Sequence, residues 1–156
     1  MQDPSTPYPL EVVVDGVPLS LQASPASRGA WSAKVRAAAL ARRQETYELG
    51  LLDNRALSVT IFYFCAAPME GDVDNIIKPI LDGLIVAAYL DDGVVERVVA
   101  QKFEPDVDWQ FAEPTTQLAV ALDRGPPVVY IRVDADLKWR AQDGNAAFAR
   151  GGASVP

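Results

Sequence analysis

The residues richest in chemistry lie in one short stretch: Asp72-Val73-Asp74-Asn75, then Lys78 and Asp82, then Asp91-Asp92. Three carboxylates brought together beside a lysine repel each other unless a cation sits among them. Oxygen-only donors favour a hard ion, Mg2+ or Mn2+, which keeps positions open for water and phosphate oxygens. Such a centre can generate a hydroxide and stabilise the pentacovalent phosphorus of phosphodiester hydrolysis. Lys78 would hold the scissile phosphate or stabilise the developing charge. The 156 residues include no histidine and one cysteine. That excludes Ser-His-Asp and Cys-His catalysis, imidazole metal sites and an intrachain disulfide.

Taken singly, each fragment has a plainer meaning. Asp74 is a helix cap, Lys78–Asp82 a surface pair at i,i+4, and Asp91-Asp92-Gly93 a turn. An EF-hand fits poorly, because Ile76 takes a ligand position and the loop glycine is missing. Their joint occurrence is what carries weight, and the charge distribution supports it. The formal net charge is −7, from 14 basic and 21 acidic residues. Residues 51–110 hold eleven acids against four bases, whereas each flank holds five of either sign. A net acidic chain speaks against a polyanion partner. An acidic focus in an otherwise neutral chain is instead what a metal site looks like before its metal is counted.

These groups need elements to hold them. Leu10–Val14 reads as a strand ending at Asp15-Gly16, and Val17–Leu21 as a short continuation. Ala30–Tyr47 reads as a helix, capped by Ser27 or Ser32 and stopped by Gly50. Its apolar stripe is Trp31, Val35, Ala38, Ala39 and the stem of Arg42. Leu57–Cys65 is a strand with Cys65 buried and reduced. Asp74–Ala88 has Ile77, Ile80, Leu81, Leu84 and Ile85 at helical spacing, in conflict with Pro79 at its sixth residue. Val94–Phe103 is a strand, followed by a polar loop to Glu113, a helix over Pro114–Leu122 and a strand over Val128–Val133. Asp72 and Asp74 then share one side of an extended lead-in, with Asp74 as N-cap. One of Asp91 and Asp92 returns beside them. The fold class is α+β, a single domain of helices on a mixed sheet. Residues 1–9 are expected to be flexible, 10–135 folded, and 136–156 frayed. The chain has no signal-peptide pattern and no apolar run of the ~18 residues a membrane span needs, so a soluble, cytoplasmic protein is expected.

The run D-x-D-N-x-x-K-x-x-x-D-x-L over residues 72–84, followed by Y-x-D-D from Tyr89, resembles the RusA family of Holliday junction resolvases. A G-x-P-x-S-x-Q-A opening from Gly16, a Trp-led helix and the closing strand extend the likeness. The resemblance implies a homodimeric, Mg2+-dependent endodeoxyribonuclease, with Mn2+ as a substitute and no organic cofactor. Such enzymes, often prophage-linked, resolve four-way DNA junctions by paired phosphodiester hydrolysis in recombination and repair. It implies metal ligands at Asp72, Asp74 and Asp92, a catalytic lysine at Lys78, and supporting roles for Asn75, Asp82 and Asp91. Outside the acidic centre, Arg28, Lys34, Arg36, Arg97 and Lys102 are candidates for phosphate contacts.

Two departures motivate an alternative. Val94 stands where many members carry glutamine, and Ala66–Gly71 lacks the arginines some members place before the first aspartate. The alternative is a RusA-fold protein without resolvase activity, acting as a DNA- or protein-binding module. A carboxylate acid/base hydrolase acting on a sugar is a third option, and it gives Lys78 no role.

Overall fold

Alternating β-branched and aromatic residues form four strands, which pair into one mixed sheet in the computed structural model describing residues 6–18, 23–47 and 51–136. The strands are β1 (Leu10–Asp15), β2 (Leu57–Phe64), β3 (Val95–Phe103) and β4 (Val128–Asp134), arranged β1-β4-β2-β3. β4 runs antiparallel to both β1 and β2, whereas β2 and β3 are parallel. A parallel pair cannot be closed by a hairpin and needs a crossover. Here residues 65–94 make it, and they contain every acid of the motif.

Helices α1 (Pro25–Tyr47) and α2 (Ile77–Leu84) cover one face of the sheet. Trp31, Val35 and Ala39 of α1 and Ile80 and Leu84 of α2 are buried there against Val12, Val59, Ile61 and Ile131. The two helices meet at Gly83. A Cβ at that position would lie 2.8 Å from both Ser32 O and Val35 Cβ, so only hydrogen fits. On the other face, α3 (Thr116–Arg124) packs against β1 and β4. Beside it lies an aromatic group of Phe62, Phe64, Phe103, Trp109, Phe111 and Tyr130. The α+β class with three helices on a mixed sheet is therefore as expected, and Cys65 is free and buried.

Several boundaries differ, each for a local reason. α1 begins at Pro25 because Ser24, rather than Ser27 or Ser32, caps it, accepting from Ser27 N–H at 3.2 Å. Proline at the first helical position loses no bond. Ser32 instead ties the helices together, its hydroxyl donating to Pro79 O at 2.8 Å. The second helix is preceded by a 3-10 turn over Val73–Ile76 and ends at Leu84, not Ala88. Pro79 thus falls in the first turn of α2, where backbone N–H groups have no intrahelical acceptor, and the conflict disappears.

Asp74 lies inside the 3-10 turn, so it is not the N-cap, and it does not share an extended lead-in with Asp72. α3 is capped by Thr115, which accepts from Leu118 N–H at 3.2 Å. The loop before it is polar at most positions but contributes Trp109 and Phe111 to the aromatic group. Tyr8 falls in the segment expected to be flexible, yet it is 3% exposed and donates to Ala88 O at 2.6 Å. The expectations for Ser20, Leu21, Gln22, Gly50 and the tail from 137 onward lie outside the described residues.

Candidate functional site

Lys78 stands in the first turn of α2, and its ammonium meets two carboxylates. Nζ donates to Asp92 Oδ2 at 2.6 Å and lies 2.9 Å from Asp82 Oδ1. Asp82 is one helical turn further along α2, which puts it on the same stripe. Asp92 arrives from the opposite direction, at the start of the 3-10 turn Asp92–Val94 that leads into β3. Of the adjacent pair, Asp92 turns inward to the lysine, and Asp91 is exposed. The hydrogen bond to Asp92, then the one to Asp82, holds the Lys78 ammonium well above the usual lysine range. Lys78 is therefore a fixed cation at neutral pH and is unsuited to act as a base.

Tyr89 supports the cluster from below. It is fully buried, its hydroxyl donates to Leu81 O at 2.7 Å, and its carbonyl accepts from Val86 N–H at 2.6 Å. Burial first, then the charges of Asp92, Asp82 and Asp91, pushes its hydroxyl far above the ordinary tyrosine value. It stays neutral and fixes the Ile85–Tyr89 turn that delivers Asp91 and Asp92. That turn contains Val86 at φ 75, a β-branched residue in left-handed backbone. Arg36 holds the other side: Nη2 donates to Asp82 O at 2.6 Å and Nε to Ile85 O at 3.0 Å. A cation on the last carbonyls of a helix is doubly favourable there.

The remaining expected residues are scattered around this centre. Arg28 lines a cleft of about 400 Å³ together with Pro25, Gly29, Ser32, Lys78, Pro79 and Asp82. Arg36 is committed to the α1–α2 junction. Lys34 sits 6.0 Å above the Trp31 ring. Arg97 and Lys102 are exposed on β3, and Lys102 pairs with Glu104 at 2.9 Å. Asp72 is exposed at the head of the 3-10 turn, its carbonyl accepting from Asn75 N–H at 3.1 Å. Its charge adds to the field at Lys102.

Sequence reasoning passed over the supporting roles of Arg36 and Tyr89. Arg36 gave no signal beyond its charge. Tyr89 did, because a tyrosine next to an acidic pair is costly to bury unless its hydroxyl finds an acceptor.

This crossover lies within the part of the chain that is similar to a known family. The chain matches the family Endodeoxyribonuclease RusA over residues 17–108. The chain belongs to the RusA endodeoxyribonuclease family. The match takes in α1, β2, the whole crossover and β3, so the Lys78 cluster sits within the RusA region. A comparison with curated proteins finds no match.

The RusA assignment raises the question of a divalent cation. The donor chemistry suits a hard ion, since Asp72, Asp74, Asp82, Asp91 and Asp92 offer only oxygen. The arrangement does not form a ready cage: among the described residues no group of three or more histidine, cysteine, aspartate or glutamate side chains could hold a metal ion. The expected convergence of Asp72, Asp74 and Asp92 is not what the structure presents. Asp92 instead pairs with Lys78, which it shares with Asp82.

Proposed function

We propose that this RusA-family chain is a Mg2+-dependent endodeoxyribonuclease that resolves four-way DNA junctions as a homodimer, cutting two phosphodiester bonds in recombination and repair. One observation carries the reading: the permanently charged Lys78, held by Asp82 and Asp92 at an exposed cleft that also contains Arg28. In this reading Lys78 binds a non-bridging oxygen of the scissile phosphate and stabilises the charge that grows on it. Asp92 and Asp82 aim the ammonium, Tyr89 and Arg36 fix the backbone beneath them, and Arg28 contacts a flanking phosphate. Magnesium rests on the family and on the all-oxygen donors; Asp72, Asp74 and Asp92 would have to draw together to hold it, with Asp92 shared with or released from Lys78. A bound cation would supply an activated water. Asn75 and Asp91 keep supporting roles, and Lys34, Arg97 and Lys102 outer phosphate contacts.

The test is cleavage of a synthetic four-way junction in the presence of Mg2+. Paired nicks that disappear in Lys78→Ala and Asp74→Asn are expected. No cleavage by the wild type overturns the reading. The alternative, a binding module that cuts nothing, draws support from the missing three-acid group and from Val94. It predicts junction binding that survives substitution of Asp72, Asp74 and Asp92 together, with no Mn2+ uptake by the wild type.

A further inference from the structure

Two lysines divide the acids in and around the crossover. Lys78 holds Asp92 at 2.6 Å and Asp82 at 2.9 Å. Lys102 pairs with Glu104 at 2.9 Å, and it is at Lys102 that the charge of Asp72 is felt. An ammonium placed among carboxylates relieves their repulsion, as a metal ion does. It does so without drawing them to one point, and among the described residues no three acids are so grouped.

The two kinds of cation make different demands on Asp92. Mg2+ takes near-octahedral oxygens at about 2.1 Å, so a site on Asp92 needs a neighbouring acid to close in on it. The Lys78 ammonium already lies on Asp92 Oδ2. Even on different oxygens of that carboxylate the two ions would stand within about 6 Å of each other, and the double charge doubles their repulsion. Lys78 has a second berth. Asp82 lies one turn along the same stripe of α2, so the ammonium can settle there by rotating its flexible stem.

We propose that Lys78 and a divalent cation are rivals for Asp92, so that the cation takes this carboxylate only as the lysine gives it up. The ammonium has three donors. In the arrangement described, two are committed, to Asp92 and Asp82. Once Asp92 is released, Asp82 keeps one and two turn to the cleft lined by Arg28 and Ser32, where a phosphate oxygen can take them. Cation uptake and phosphate binding are thereby coupled, and each strengthens the other. The inference rests on the Mg2+-dependent reading above and deepens it by naming what sets the cation affinity and what arms the lysine.

The experiment is Mn2+ binding to the full chain without DNA, read from the loss of the free-ion EPR signal. Lys78→Met should bind Mn2+ more tightly than the wild type by about fivefold or more, the scale of one exposed ion pair no longer competing. Lys78→Gln should do the same, and circular dichroism shows whether both are folded. In an Asp92→Asn background Lys78→Met should bring no such gain, because the contested carboxylate is gone. A plain field effect of the lost charge would survive there. In the wild type, added Mg2+ should shift the Lys78 ammonium signal in 15N NMR, identified by its loss in Lys78→Gln. Unchanged or weaker Mn2+ binding in both folded Lys78 variants, a gain that persists with Asp92→Asn, an ammonium signal that Mg2+ leaves in place, or no Mn2+ uptake by any form would each overturn the rivalry. Junction cleavage is measured separately. Cleavage without competition overturns only the rivalry, and competition without cleavage overturns only the nuclease reading.

Discussion

Lys78 and Asp92 are fourteen residues apart in the chain, and the lysine ammonium reaches the aspartate carboxylate at 2.6 Å. This contact joins the first turn of α2 to the segment that starts β3. Lys78→Met should lower single-turnover junction cleavage by about 10²–10³-fold, the scale for losing one well-placed electrostatic group. Lys78→Arg should keep the larger share. Neither change should alter stability by more than about 1 kcal/mol, because the pair faces solvent. Cleavage rates and urea midpoints measured on the same preparations check both parts.

Gly83 touches α1 so closely that a methyl group has nowhere to go. Gly83→Ala should cost about 1–3 kcal/mol by overpacking, read as a lower denaturation midpoint. Gly29, with open space around it, provides the comparison. Gly29→Ala sits in the interior of α1 and should stabilise the protein by up to about 1 kcal/mol.

Arg36 and Arg28 should separate cleanly. Arg36→Met leaves the Ile85 carbonyl without its guanidinium partner and should destabilise the fold by about 1–3 kcal/mol. The salt dependence of DNA binding should stay as it was. Arg28→Met should reduce the salt slope by about 0.9, the value for one phosphate contact. Binding titrations at several salt concentrations distinguish the two.

Val86 holds left-handed backbone, and its side chain is 57% exposed. Val86→Gly relieves a conformation that costs an L-residue about 1–2 kcal/mol and loses little packing. Thermal unfolding should therefore shift upward. A downward shift would mean that the valine side chain contributes packing that its exposure does not suggest.

Burial pushes the hydroxyls of Tyr8, Tyr63 and Tyr130 up to about 12. The unfolded chain releases those protons near pH 10. Their contribution to stability is fully present below pH 10 and is lost as the pH rises from there through about 12. Denaturation midpoints should stay flat on the low side of that window and then fall. Tyr8→Phe, which cannot ionise, should fall less steeply.

Much of this fold could be read from local pattern. β1, β2 and β4 follow from β-branched alternation, and α2 from the spacing of Ile80, Leu81 and Leu84. What escaped depended on contacts between distant segments. The 3-10 turn at Val73–Ile76 carries no mark of its own beyond the proline that follows it. Trp109 and Phe111 lie in an aperiodic loop, and their aromatic partners come from β2, β3 and β4. The acids and lysine of the candidate site were legible as a set because the crossover keeps them contiguous. Their mutual geometry was not. It depends on how β3 returns alongside α2, and on Arg36 and Tyr89, whose partners are backbone carbonyls that no side-chain pattern announces.

β2 and β3 lie side by side and run in the same direction, so the chain must travel back along the sheet between them. That return journey carries the whole candidate site, from Asp72 to Asp92. Its length is therefore set by the distance to be covered, unlike a hairpin, which can gain or lose a residue at its tip. A deletion within 65–94 would strain the parallel pair or pull Asp92 off Lys78. Insertions should be tolerated in the 104–113 loop well before they are tolerated here. The chemistry and the direction of one strand are thus inherited together, and a variant cannot edit one without renegotiating the other.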